Sequence, residues 1–240
     1  MKLKKIKQYI TALRRYHRSK GHGIHSPFAF KFVLNVLRER LPYYAYDDIM
    51  QLRKQAKEQS STLLHRPRII SKKSAKMLFR IVNYFNPEAI LQVGTNYGVS
   101  SASMLAVNSR TALYLCKPDV SEFPITHDIL SHYGNPLSIY PTFKDSVAAY
   151  GETTTGKTSP FVLVNDINPD EYNAILSYLY RVRNAHGVII IRNLSRKSSL
   201  YALWEALRDA APTGMTFTNN KTAIIVATPK LPHQNFSLWF

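Results

Sequence analysis

Residues 90–100 read Ile90-Leu91-Gln92-Val93-Gly94-Thr95-Asn96-Tyr97-Gly98-Val99-Ser100. A short, mostly apolar run meets two glycines four positions apart, and a helical stretch at 99–106 follows. Glycine lets a chain turn where a Cβ would not fit, so the spacing predicts strand, tight turn, helix. The same alternation continues, with strands at 89–93, 112–116, 137–140, 161–164 and 187–191 and helices at 99–106, 122–133, 144–150 and 170–182. Near-continuous apolar strands separated by helices predict a parallel sheet covered on both faces. A helix at 200–210 leads to closing runs at 215–218 and 222–228, and Asn219-Asn220 suits the turn of an antiparallel edge hairpin.

Upstream of this pattern the composition changes. The 240-residue chain carries a net charge of +17, with 20 Lys or Arg against 4 acids in residues 1–80 and 12 against 11 in residues 81–240. The excess is thus local, +16 before the boundary near Arg80 and +1 after it. Hydrophobic residues at 45% exclude a disordered or collagenous chain. Cys116 is the only cysteine, which excludes intrachain disulfides and thiolate zinc clusters. The basic N-terminus lacks the unbroken apolar stretch and cleavage site of a signal peptide. No apolar run approaches the roughly 20 residues of a membrane span, so a soluble, cytoplasmic protein with no transmembrane segment is expected.

Within the basic third, Leu3, Ile6, Ile10, Leu13 and Tyr16 recur at helical spacing and predict one amphipathic helix over 2–18. Ser26-Pro27 is an N-cap followed by proline at the first helical position, and Phe28, Phe32, Val33, Val36 and Leu37 form the face of a second helix. Asp47 is placed to cap a third helix reaching Gln59. Ala75, Leu78, Phe79, Val82 and Phe85 make a fourth stripe. Residues 1–72 therefore read as a basic helical cap and 73–240 as the α/β domain. The basic faces of residues 1–80 are either solvated helix surfaces or a surface for an anionic partner, nucleic acid or an acidic membrane, with Tyr9, Tyr16, Tyr43, Tyr44 and Tyr46 available for stacking. His22 and His25 frame an H-x-x-H in a glycine-rich loop of poor ligand geometry, and no metal site is expected there.

The order of elements resembles the class I methyltransferases that use S-adenosylmethionine (SAM), and residues 92–100 resemble the first motif of their catechol-type O-methyltransferase branch, acid-x-Gly-Thr-x-x-Gly-x-Ser. The resemblance runs from about Lys73 onward. It implies a Rossmann-like seven-stranded sheet, mostly parallel with an antiparallel last strand, and a SAM pocket around Gln92, Gly94, Thr95, Asn96, Tyr97 and Gly98, where glycines let a cofactor approach the main chain. It also places Cys116 and Lys117 at the end of the second strand, Asn165 and Asp166 at the end of the fourth, and Arg192-Asn193 at the end of the fifth. The segment 23–28 and the helix around Trp204 are similar to bacterial methyltransferase-like proteins with a helical prelude.

The departures from that pattern are all losses of acids. Gln92 stands where the family holds the methionine end of the cofactor with an acid, and Cys116 where an acid grips the ribose hydroxyls. Asn165 and Arg192 stand where the metal-dependent branch binds a divalent cation. Weakened or lost cofactor binding and no metal are expected. Arg192 and Asn193 become the candidates beside a reacting oxygen, Arg192 supplying positive charge, with Asp119 or Asp166 as stand-ins for lost acids. Residues 151–158 satisfy the P-loop pattern G-x-x-x-x-G-K-T, but they follow a helix and precede a strand, the reverse of a phosphate loop. Cys116 reads as a small buried residue, and Trp204 and Trp239 as packed side chains. The expected function is a metal-independent SAM-dependent methyltransferase-like protein, weak or inactive, acting on a small molecule. The alternative is a non-catalytic scaffold whose cap binds an anionic partner.

Overall fold

In the computed structural model, which describes residues 2–63, 69–116, 122–153, 159–210 and 212–240, the region after Asn86 builds a single eight-stranded sheet. Its strands are β1 (Ala89–Val93), β2 (Ala112–Cys116), β3 (Leu137–Tyr140), β4 (Phe161–Val164), β5 (Val188–Arg192), β6 (Met215–Thr218), β7 (Thr222–Val226) and β8 (Gln234–Ser237). They lie in the order 3-2-1-4-5-7-6-8. Strands β1 to β5 are mutually parallel, and β7 runs antiparallel to both β5 and β6. The eighth strand corrects the expected seven: Gln234–Ser237 pairs in parallel with β6, and the Phe236 ring stacks on Phe217 at 5.2 Å. Its other residues are polar, so it presents no apolar alternation to read.

The helices are α1 (Lys2–Ser19), α2 (Pro27–Phe32), α3 (Tyr46–Gln59), α4 (Lys72–Phe85), α5 (Val99–Leu105), α6 (Phe123–Leu130), α7 (Phe143–Thr153), α8 (Tyr172–Asn184) and α9 (Ser199–Arg208). Successive strand residues point to opposite faces, and the core divides accordingly. Ile90, Leu113, Leu163 and Ile190 join a cluster with side chains of the cap and of α4 to α6. Leu91, Val162 and Ile189 join the opposite cluster with α7 to α9. The helices before residue 72 therefore share a core with one face of the sheet.

Ser26 Oγ accepts the Ala29 N–H at 3.3 Å, the N-cap read from Ser26-Pro27. Helix α2 then passes into one π-helical turn, Val33–Leu37, that buries Val33, Val36 and Leu37. Four readings of the cap and tail need correction. Asp47 is not a cap: Ala45 holds that position without a side-chain bond, and Asp47 lies in the first turn of α3, where the helix N-terminus favours negative charge. The described half of the α1 stripe does not dock, since Ile10, Leu13 and Tyr16 remain 43%, 45% and 41% exposed, and the side chains of Leu3 and Ile6 lie outside the described residues; periodicity defines an apolar face without supplying something for it to dock on. Tyr46 is buried, its hydroxyl accepting from Arg80, and is not free to stack on a partner. Trp204 is buried, but Trp239 is 53% exposed. The side chain of Tyr9 lies outside the described residues. The tail after β8 crosses to α1, where Arg15 Nη2 donates to the Leu238 carbonyl at 2.8 Å and the Trp239 N–H donates to Ser19 Oγ. Among the described residues, no helix is long and apolar enough to cross a membrane.

Candidate functional site

The strand order reverses between β2-β1 and β1-β4, and in such sheets the crevice outside the carboxyl ends of the strands at this switch point is where ligands bind. The turn after β1 occupies it. Gly94 and Gly98 have φ of +80° and +75°, and Asn96 and Tyr97 between them are also left-handed at +55° and +57°. A Cβ on Gly94 would stand 2.9 Å from the Asp166 backbone nitrogen, and one on Gly98 3.1 Å from the Thr126 carbonyl. Both glycines are thus demanded by the protein's own packing before any ligand is considered. The Gly94 N–H donates to the Cys116 carbonyl at 3.2 Å, tying the turn to the end of β2.

Beneath the turn lies a buried polar network. Gln92 Nε2 donates to the Gly94 carbonyl (2.8 Å) and to Ser100 Oγ (3.2 Å), while its Oε1 accepts from Ser101 Oγ (2.9 Å). Asn165 Nδ2 donates to the same carbonyl and the same Ser100 Oγ, both at 3.0 Å. Arg192 Nη1 donates to Asn165 Oδ1 at 2.6 Å, and Asn193 Nδ2 to the Asn165 carbonyl at 2.9 Å. The replacements for the lost acids are therefore not scattered: Gln92 and Asn165 share the Gly94 carbonyl and Ser100 Oγ as acceptors, and Arg192 donates to Asn165. Asp166 and Asn193 stand exposed at the rim, and the Asp166 carboxylate accepts the Ile167 N–H. Cys116 is fully buried. Lys117 and Asp119 lie outside the described residues, as does the part of the P-loop-like stretch after Thr153; residues 151–153 form the end of α7.

Two participants were missed by the sequence reading. Ser101 enters the network from a helix whose every residue is buried, and a second serine beside the motif's Ser100 was the available signal. Glu122, just before α6, is buried; its carboxylate accepts from the Thr95 hydroxyl and, at 3.3 Å, from the Tyr97 N–H. This acid reaches the turn by folding back over 25 residues, for which no local pattern exists.

The Arg192 guanidinium brings a positive charge to Asn165. It is buried, its Nε has no partner among the described residues, and burial pushes its pKa down from the ordinary guanidinium range to about 10. That depression corresponds to about 3 kcal/mol of destabilisation. The cost is fully present well below pH 10, where the folded form is still charged, and fades as pH rises through about 10 toward the ordinary guanidinium range. Arg192→Met removes this cost but leaves Asn165 Oδ1 without its donor, a loss of about 1–3 kcal/mol. The two nearly cancel. Urea unfolding of Arg192→Met at pH 7 is expected to give a stability within about 2 kcal/mol of the parent protein, or slightly above it; a loss of more than that would mean that the guanidinium is neutralised by a group not described above.

A SAM-type cofactor fits the backbone of this site better than its side chains. The left-handed turn at the switch point and the buried Asn96 Oδ1, which lacks a partner among the described residues, are features a ligand would complete. The carboxylate present, Glu122, is already engaged by the turn. A hard divalent cation does not fit the strand-end positions, because they offer two amides and a guanidinium in place of anionic oxygens. Among the described residues no group of three or more His, Cys, Asp or Glu comes together.

This sheet order with its glycine turn is the fold of the class I SAM-dependent methyltransferases, in its O-methyltransferase form. Solved structures that share it include the O-methyltransferase of Bacillus cereus in complex with S-adenosylhomocysteine (SAH), with a TM-score of 0.52 and 16% identity over 82% of this chain and 96% of that one. The O-methyltransferase TomG of Streptomyces achromogenes, involved in tomaymycin synthesis and in complex with SAM, superposes with a TM-score of 0.52 and 15% identity over 78% and 91%. The SAH-bound methyltransferase PaMTH1 of Podospora anserina gives 0.51 and 13% over 79% and 99%. No family model and no curated protein matches the sequence.

Proposed function

We propose that this chain is a metal-independent, SAM-dependent methyltransferase-like protein acting on a small molecule. The observation that carries the reading is the left-handed turn at residues 94–98, set at the switch point of a methyltransferase-type sheet. The turn and Asn96 would hold the cofactor, which when bound supplies an electrophilic methyl group. Arg192 supplies a buried positive charge next in sequence to the exposed Asn193, so that an anionic acceptor oxygen at the rim is favoured by a field that low-dielectric surroundings strengthen. Asn193 is the candidate for contact with that oxygen. The neutral, mutually satisfied Gln92 and Asn165 offer no anionic grip, so the affinity is weak. The same self-satisfaction, together with Glu122 already bonded to the Tyr97 N–H, favours the second reading, a non-catalytic scaffold of this fold.

Calorimetric titration with SAM and with SAH separates the two. One-to-one binding tighter than about 100 μM is expected, weakened at least about fivefold in Asn96→Gly, which keeps the left-handed backbone while deleting the side chain. Gly94 is the wrong position to block, because its Cβ would strike Asp166 and damage the fold. Absence of binding at about 1 mM of either ligand would leave the scaffold reading standing.

A further inference from the structure

A roomy cavity lies away from the turn. It has a volume of about 570 Å³ and is formed where the π-helical turn, the start of α3, the first half of α4 and the tail after β8 meet. Five cations, Arg38, Arg40, Lys73, Lys76 and Arg80, line it. Helix α4 ends beside the start of β4, with Phe85 packed on Phe161. Its 14 residues reach about 20 Å in the other direction. Lys73 and Lys76 therefore stand toward the carboxyl edge of the sheet, and no residue of the 94–98 turn is shared.

The charges are held in place and left unneutralised. Arg80 is 6% exposed, with Nε donating to the Val36 carbonyl (2.6 Å), Nη2 to the Leu37 carbonyl (3.2 Å) and Nη1 to the Tyr46 hydroxyl (3.0 Å). The Lys76 ammonium sits 4.5 Å over the Tyr46 ring. Two acids are also in the lining, but Glu39 is turned to the backbone, accepting the N–H groups of Arg40 and Leu41 at 2.6 and 2.8 Å, and Asp47 is in the first turn of α3. Among the described residues none of the five cations has a carboxylate within ion-pair distance. Their mutual repulsion registers on Lys73, whose pKa is lowered by burial and then by Arg38, Arg80 and Arg40. Tyr43 and the half-exposed Trp239 add aromatic walls. The volume falls within the roughly 300–1,000 Å³ of small-molecule sites. Charges in a concavity with one of them at nine-tenths burial suit a compact ligand better than a nucleic-acid backbone, which needs a groove that tracks it.

We propose that this cavity binds a soluble phosphorylated small molecule that carries a ring, the phosphate meeting Arg38, Arg40, Lys73 and Lys76 and the ring lying against Tyr43 and Trp239. The inference stands apart from the methyltransferase reading and survives its failure.

Titration calorimetry on the full chain with inorganic phosphate, pyrophosphate and phenyl phosphate tests it. One-to-one pyrophosphate binding tighter than about 1 mM is expected, with phenyl phosphate at least threefold tighter than inorganic phosphate. Lys73→Gln/Lys76→Gln is expected to weaken pyrophosphate at least tenfold, and Arg38→Gln/Arg40→Gln, which alters a different segment, to do the same. Lys57→Gln/Lys144→Gln removes the same charge from exposed positions elsewhere and is expected to change binding less than twofold. Unsaturable binding, an equal loss in the Lys57/Lys144 control, or retention of affinity in both cavity variants would overturn the proposal. So would binding to vesicles containing phosphatidic acid, or to a single-stranded RNA, that neither pyrophosphate nor phenyl phosphate displaces.

Discussion

Phe32→Ala is expected to destabilise the protein by about 3–5 kcal/mol, the range for removing a buried aromatic ring from a packed core. Phe32 is fully buried, and its ring lies 5.0 Å from Phe217 in β6, 5.5 Å from Tyr84 and 5.7 Å from Phe85 in α4, and 5.7 Å from Phe28, on which it stacks. One side chain therefore joins the cap, the last helix before the sheet and the sheet itself. Natural stabilities of about 5–15 kcal/mol leave little margin for such a loss. Because the cap and the sheet face share one cluster, urea unfolding followed by tryptophan fluorescence and far-ultraviolet circular dichroism is expected to stay a single coincident transition at a lower midpoint. Two separated transitions, with Phe32→Ala moving only the first, would instead make residues 1–72 a unit that folds by itself.

The second large effect is expected at Arg80. Arg80 and Arg192 are both buried, and their opposite responses to the same substitution follow from counting bonds. Arg192 makes one hydrogen bond, to a neutral amide, and loses little when replaced. Arg80 serves two main-chain carbonyls and a buried phenol. Hydrogen bonds from a charged group contribute about 1.5–3 kcal/mol each, and a buried acceptor left without its donor costs about 1–3 kcal/mol. Three such losses outweigh the relief of no longer burying the cation, so Arg80→Met is expected to cost about 3–4 kcal/mol. Parallel denaturation of Arg80→Met and Arg192→Met checks the contrast, and equal midpoints would refute it.

The physical reasons for what the sequence disclosed are visible in these same residues. Strands β1, β4 and β5 were legible because parallel strands buried on both faces must be apolar throughout, β6 and β7 because a short polar turn joins two apolar runs, and the first turn because Gly94 and Gly98 mark a bend that nothing larger fits. Strand β8 was not, since its sequence is polar and only its pairing with β6 makes it a strand. The site was half legible: the positions of Gln92, Asn165 and Arg192 at three strand ends could be read, but not that Gln92 and Asn165 would share their acceptors, that Arg192 would donate to Asn165, that Ser101 would bond Gln92, or that Glu122 would fold back onto the turn. The five cations around the cavity were seen only as part of a diffuse charge excess, because they come from two segments separated by more than 30 residues. The exposure of Ile10 and Leu13 shows the same boundary from the other side, an apolar face without a covering partner in the chain.

The contacts between α1 and the tail bear on how the polypeptide matures at the ribosome. The groups that Arg15 and Ser19 bind, on Leu238 and Trp239, are synthesised 223 and 220 positions after them. Phe32 likewise waits for Phe217. At about 5–20 residues per second, α1 emerges roughly 10 to 45 seconds before its anchors do. During that interval a strongly cationic segment is extruded without the two hydrogen bonds that tie it to the rest of the fold, and mutual repulsion of its charges opposes association of nascent chains.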